Sequence, residues 1–175
     1  MKTNFSRIGA IILLALAAFA QPGSGQQIEK AATERIGIYD SRAVAVAYVG
    51  STFHEKRMKD LKTQHEIARR AGDAKEVSRL EEMAQTWQKT LHGQGFGTAP
   101  VDDLLAHLAS DLPKIQANAG VTSLISKWNK AELAKHPKAV RVDVTIRLID
   151  AFNPNETQRK WAMEVQKKKP VTIED

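Results

Sequence analysis

The sequence predicts a mainly helical α+β fold: an antiparallel helical hairpin projecting from a small β-containing body. Three observations carry this. Two long segments, 41–71 and 74–92, repeat apolar residues at alternating spacings of three and four and meet at Gly72-Asp73. Short apolar runs that read as strands lie on either side of them, at 36–39 and 121–128. Aromatics are 6% of a chain that is 42% hydrophobic, so the core is aliphatic and alanine-rich, which favours helices. A length of 175 residues allows one domain with an appendage. The absence of cysteine excludes disulfides, thiolate zinc sites, cysteine nucleophiles and a cysteine-linked lipid anchor.

The N-terminus is Met1-Lys2, then Arg7, then an apolar run from Ile8 to Ala20, then Gln21-Pro22-Gly23. This is a basic n-region, a hydrophobic run and an Ala18-Phe19-Ala20 cleavage signature. As a helix the run spans about 20 Å, short of the roughly 30 Å hydrocarbon core of a bilayer. Residues 1–20 therefore read as a signal peptide, and the protein as bacterial, exported to the periplasm and cleaved after Ala20. Losing Lys2 and Arg7 lowers the 26 basic residues to 24 and the net charge from +6 to +4. Both signs are interspersed, which does not indicate a nucleic-acid partner.

Residues 21–34 are polar, with Pro and Gly, and read as a flexible linker. Ile36-Gly37-Ile38-Tyr39 reads as a strand, followed by Asp40 and Ser41 as helix caps. From Ser41 to Ala71, Val44, Ala47, Ser51, His54, Met58, Leu61, His65 and Ala68 form one weak heptad seam. Glu55 to Lys59 and Glu66 to Arg70 are favourable i,i+4 pairs. A helix of that length with so thin a stripe needs a partner helix. The second segment supplies one, with Val77, Leu80, Ala84, Trp87 and Leu91 in a clean seam.

Three glycines in Gly93–Gly97 predict a helix break. Pro100 suits a new first turn, Leu104, Leu105, Leu108, Leu112 and Ile115 carry its buried stripe, Pro113 predicts a kink and Gly120 a stop. A strand follows over 121–128, then a polar turn over 129–138. Residues 140–148 alternate like a strand, yet Val144, Leu148, Ile149 and Phe152 also share a helical face, and periodicity does not decide. Asn153-Pro154-Asn155-Glu156 has capping-box spacing and opens a last helix to about Lys169, with Trp161 and Val165 facing inward.

Signatures of catalysis are missing. There is no serine elbow, HExxH, P-loop or dinucleotide fingerprint, and the GQGFG run follows a helix where a phosphate loop follows a strand. Asp103, His107 and Asp111 recur at four-residue spacing and read as a solvated face, with a polarised base or metal face as the alternative. His54, His65 and His92 would form a metal site only if the hairpin gathered them, and they read first as seam compromises. Trp87, Trp128 and Trp161 read as core. Arg69, Arg70, Lys75 and Arg79 cluster near the hairpin tip, where a basic patch steers an acidic or lipid-headgroup partner. The expectation is a non-enzyme without cofactors.

Arranged this way, the chain resembles the Skp/OmpH family of periplasmic chaperones. The likeness rests on Ile36-Gly37-Ile38-Tyr39-Asp40-Ser41-Arg42-Ala43-Val44 after a signal peptide, and on the helical hairpin that follows. It rests also on Ala119-Gly120-Val121 leading into Leu124-Ile125-Ser126-Lys127, and on Val142-Asp143-Val144-Thr145 with Leu148 and Ile149. It covers roughly residues 35–152. The resemblance implies a strand near 139–142, a helix from 143 to 152, and a homotrimer whose hairpins project like legs from joined sheets. It also implies a holdase that binds unfolded outer-membrane or envelope proteins without ATP. The expected layout is one domain, 35–170: a hairpin region about 41–118 inserted in a sheet body of 35–40 and 121–152, with a terminal helix 154–169. The alternatives are an oligomeric envelope scaffold and, less favoured, a histidine-based metal-binding protein.

Overall fold

The computed structural model describes residues Thr33–Thr172. The expected signal peptide over 1–20, and the expected linker as far as residue 32, lie outside the described residues. The fold is mainly helical α+β with one small sheet. Its elements are β1 (Arg35–Tyr39), α1 (Ser41–Val49), α2 (Thr52–Arg70), α3 (Ala74–Gly95), α4 (Asp102–Leu105), α5 (Leu112–Ala119), β2 (Ser123–Ser126), α6 (Lys130–Ala134), β3 (Val140–Asp143), α7 (Thr145–Ala151) and α8 (Glu156–Val165). A 3-10 turn, Ala106–Leu108, follows α4.

The sheet order is β2-β1-β3, and both pairings are parallel. Gly37 sits at its centre opposite Leu124 and Val142. A Cβ there would lie 2.8 Å from Leu124 and 3.2 Å from Val121 and Val144, so only glycine lets this face close against the helices. Alternation along β1 then sorts the sheet faces. Tyr39 joins the main helical core with Val44, Tyr48, Leu104, Leu108, Leu148 and Phe152, while Ile36 packs on the opposite face with Ile125 and Leu133 of α6. Helices on both faces suit parallel strands.

Several expectations change on contact with the structure. The helix expected over 41–71 is two helices, because Gly50 and Ser51 interrupt it. Ser51 Oγ donates to the Tyr48 carbonyl at 2.6 Å, and Asn155 N donates to the Gly50 carbonyl at 3.1 Å. Gln158 packs so closely on Gly50 that no Cβ fits. The glycine-rich break starts later than predicted: α3 runs through Gly93 to Gly95, because Gln94 Nε2 ties it to the Pro100 carbonyl at 2.9 Å and to Asp103 at 2.7 Å. Pro113 opens α5 rather than kinking a longer helix. The polar turn at 129–138 contains α6, capped by the Asn129 side chain on Glu132 N. The last helix begins two residues late and ends at Val165. Asn153 adopts a positive φ of 47°, and Asn155 is the residue that caps Gln158 N. The undecided stretch divides as the resemblance implied, into β3 and α7.

The seam of α3 stands. Leu80 is buried against α2, and Val77, Ala84, Trp87 and Leu91 are half-buried. On α2 only Ala68 is buried, and Met58 is 42% exposed. The Glu66–Arg70 pair forms at 3.9 Å.

Candidate functional site

The carboxyl ends of parallel strands are the usual address of a ligand site. Here Asp40 occupies that position. Its carboxylate accepts from Arg42 N and Nε at 3.1 Å, Arg42 Nη2 at 2.8 Å, Lys127 Nζ at 2.8 Å and Trp128 Nε1 at 3.0 Å. Asp40 N donates to Thr145 Oγ1 at 3.1 Å, and Arg42 Nη1 reaches the Lys168 carbonyl at 3.0 Å. The Arg42 guanidinium and the Lys127 ammonium both lie over the Trp128 ring, at 4.8 and 4.9 Å. Burial by itself would raise the Asp40 pKa. The hydrogen bonds from Arg42, Lys127 and Trp128, with the Arg42 charge, overcome it and hold the carboxyl below its usual range. The donors are spent on the protein itself, so this end is a lock joining β1, β2, α7 and the segment after α8. Sequence reading found Asp40 as a cap but not the buried Arg42, because a charged residue beside a cap ordinarily reads as exposed.

A different environment lies where α1, α2, α3 and α8 meet. An open cleft of about 450 Å³ is floored by Val46, Val49 and Ala84 and walled by His54, Met58, Trp87, Leu91, Phe96 and Trp161. No Asp, Glu, Lys or Arg lines it. Trp161 is 56% exposed and Phe96 53%. The expectation that Trp161 faces inward is thus corrected: α8 lies on α1 through Ala162, which is fully buried, and this turns Trp161 to the rim. Trp128 belongs to the Asp40 lock, and Trp87 packs half-buried against the core. Along α2 and α3 a second cleft of about 510 Å³ shares Met58, Leu61 and Ala84 with the first. It adds Lys59, Lys62, His65, Leu80 and Glu81.

Beside the first cleft the polar groups are poorly satisfied. Tyr48 Oη, His54 Nδ1 and Trp87 Nε1 are buried without hydrogen-bond partners. The Tyr48 ring meets His54 at 5.6 Å, Trp87 at 6.0 Å, His107 at 5.3 Å and Phe152 at 5.8 Å. The Arg57 guanidinium stacks 3.9 Å over Trp87. Burial, then the Arg57 charge, push the His54 pKa down against a smaller opposing pull from Glu55, so the imidazole is held toward its neutral form. Burial raises the Tyr48 hydroxyl pKa; Arg57 opposes this and Asp103 adds to it.

The basic residues singled out by sequence sit at the facing ends of α2 and α3. Arg79 is committed to Glu76, with contacts of 2.6 and 2.7 Å, and the Glu76 carboxyl is lowered chiefly by that bond. Arg70 faces Glu66. Arg69 and Lys75 have no ionic partner among the described residues. The three histidines are dispersed: His65 pairs with Glu81 at 3.3 Å and His92 stacks on Phe96 at 5.7 Å. Among the described residues no group of three or more His, Asp or Glu is placed to hold a metal. Asp103, His107 and Asp111 do not share one helix. Asp103 accepts from Gln94, His107 stacks on Tyr48 and Phe53, and Asp111 precedes α5.

No family model, no curated protein and no solved structure matches this chain.

Proposed function

We propose that this protein is an exported, non-catalytic holdase resembling the Skp/OmpH chaperones, which binds unfolded envelope polypeptides in the periplasm without ATP. In this reading α2 and α3 form an antiparallel hairpin that projects from the sheet body. The observation that carries the proposal is the uncharged cleft at the root of α2 and α3, rimmed by Trp161, Phe96 and Met58 at exposures of 56, 53 and 42%. Large apolar groups held at a surface are costly to solvate and favourable to cover. Weak, distributed apolar contact suits a client without fixed structure. Unpaired Arg69 and Lys75, near the turn at Gly72, add attraction to acidic clients or anionic membrane surfaces.

Oligomerisation is part of the proposal. With β1 central, β2 and β3 each present an edge with no strand partner among the described residues. Edges left open in this way suit joining of sheets between copies, a trimer by the resemblance. The same observation favours the second reading, an oligomeric envelope scaffold without holding activity. Light scattering and an aggregation assay separate them. A holdase has a native mass near three protomers and suppresses aggregation of a denatured β-barrel protein. A scaffold assembles equally well and leaves the aggregation curve unchanged.

A further inference from the structure

The holding activity proposed above leaves open which stretches of a client are held and in which direction, and the charges around the two joined clefts bear on both. The first cleft, at the root, contains no charged side chain, and a client charge placed there would be desolvated without a partner. The second shares Met58, Leu61 and Ala84 with it and is banked by Lys59 and Lys62, with Glu81 as its one carboxylate. Glu81 meets His65 at 3.3 Å, whereas Lys59 and Lys62 make no ion pair among the described residues, so two ammonium groups outnumber the one carboxylate. Apolar recognition therefore lies at one end and unspent positive charge at the other. From His54 to His65 the groove follows eleven residues of α2, about 16 Å. An extended chain covers that in about five residues.

We infer that this groove binds extended client segments of about five residues in a fixed polarity, with aromatic or large aliphatic side chains at the Trp161 end and an acidic side chain against Lys59 and Lys62. Trp161 and Phe96 supply broad apolar area at low entropic cost, and Met58 adapts to the side chain presented. The inference rests on the holdase reading and names its substrate class.

The test uses the full chain and three dye-labelled peptides that share one apolar tetrapeptide and end in two aspartates, two glutamines or two lysines. Fluorescence anisotropy should rank aspartate tightest and lysine weakest, with about tenfold between them at low salt and little at high salt. The Lys59→Glu/Lys62→Glu variant should invert the order. Trp161→Ala should weaken all three peptides alike. Both sets of positions are exposed, and circular dichroism checks that the variants fold. An order indifferent to residues 59 and 62, or affinities indifferent to Trp161, overturns the groove assignment. If the wild-type chain still suppresses aggregation in that case, holding occurs elsewhere on the surface and the holdase reading survives. If it suppresses nothing, the holdase reading falls and takes the groove assignment with it.

Discussion

The two ends of α1 solve the same problem in opposite ways. At its N-terminus a carboxylate, a guanidinium, an ammonium and an indole are drawn together at the sheet, and Asp40 alone accepts five hydrogen bonds. At its C-terminus Tyr48 Oη, with the neighbouring His54 Nδ1 and Trp87 Nε1, is buried with no partner. Buried polar groups specify geometry when paired and weaken packing when not. The first region pairs its charged groups, although Ser41 Oγ stays buried there without a partner. The second tolerates unpaired atoms beside an open apolar cleft, and groups without partners oppose local opening less.

The sharpest way to break this contrast is at Arg42. Arg42→Ala leaves the buried Asp40 charge short of its main partner and should cost about 3–5 kcal/mol in a urea titration. A loss under about 1 kcal/mol would mean the lock contributes little. Leu80→Ala, at the only fully buried seam position of α3, should cost about 2–4 kcal/mol, with the melting transition broadened if α2 and α3 separate first. A matched pair of conservative changes comes next. Trp128→Phe removes a hydrogen bond to a charged group and should destabilise by about 1.5–3 kcal/mol. Tyr48→Phe removes an unpaired hydroxyl and should be neutral or stabilising by up to about 1 kcal/mol. Equal losses from both would erase the distinction between the two regions.

The smallest effect is that of pH, where two groups share one sign and differ in window. The His54 pKa is lowered by folding, so its contribution is fully present above the unfolded value near 6.5 and is lost as pH falls through the folded value. Stability should therefore decline as pH falls below about 6.5, and His54→Gln should flatten that slope. The Asp40 pKa is lowered too, so a separate decline should appear only below about pH 4, and Asp40→Asn should remove it. A stability curve level from pH 7 to 5 in the wild-type protein would discard the His54 assignment.

What could be read from the sequence follows the range of the forces involved. The strand-to-helix entry at 36–41 and the seam Val77, Leu80, Ala84, Trp87, Leu91 were legible, because capping and heptad spacing are local. The interruption at Gly50-Ser51 was not. The seam keeps phase through it, and its cause is α8 arriving more than a hundred residues later to pack Gln158 on Gly50. The helix α6 was hidden in a polar stretch, since its five residues expose most of their surface and bury chiefly Leu133. The late start at Asn155 was missed because two asparagines flank Pro154 and either fits a cap; the positive φ of Asn153 decides between them. Of the candidate site, the basic residues at the ends of α2 and α3 were legible, and so was the Glu66–Arg70 pair, because four-residue spacing on a helix is local. The cleft was not visible, because an amphipathic helix places Trp161 and Ala162 within one step of each other, and only tertiary packing chose the smaller residue for the interior.

The central strand is also the first one made. Its partners, β2 and β3, follow it by more than eighty residues: Ile36 pairs with Ser123, 87 residues on, and Arg35 with Val140, 105 residues on. The His65–Glu81 contact between α2 and α3 spans 16. A chain delivered N-terminus first therefore completes α2 and α3 while β1 waits with both sides bare. The molecule passes through a stage in which its own foundation resembles the unfolded strands it is proposed to guard.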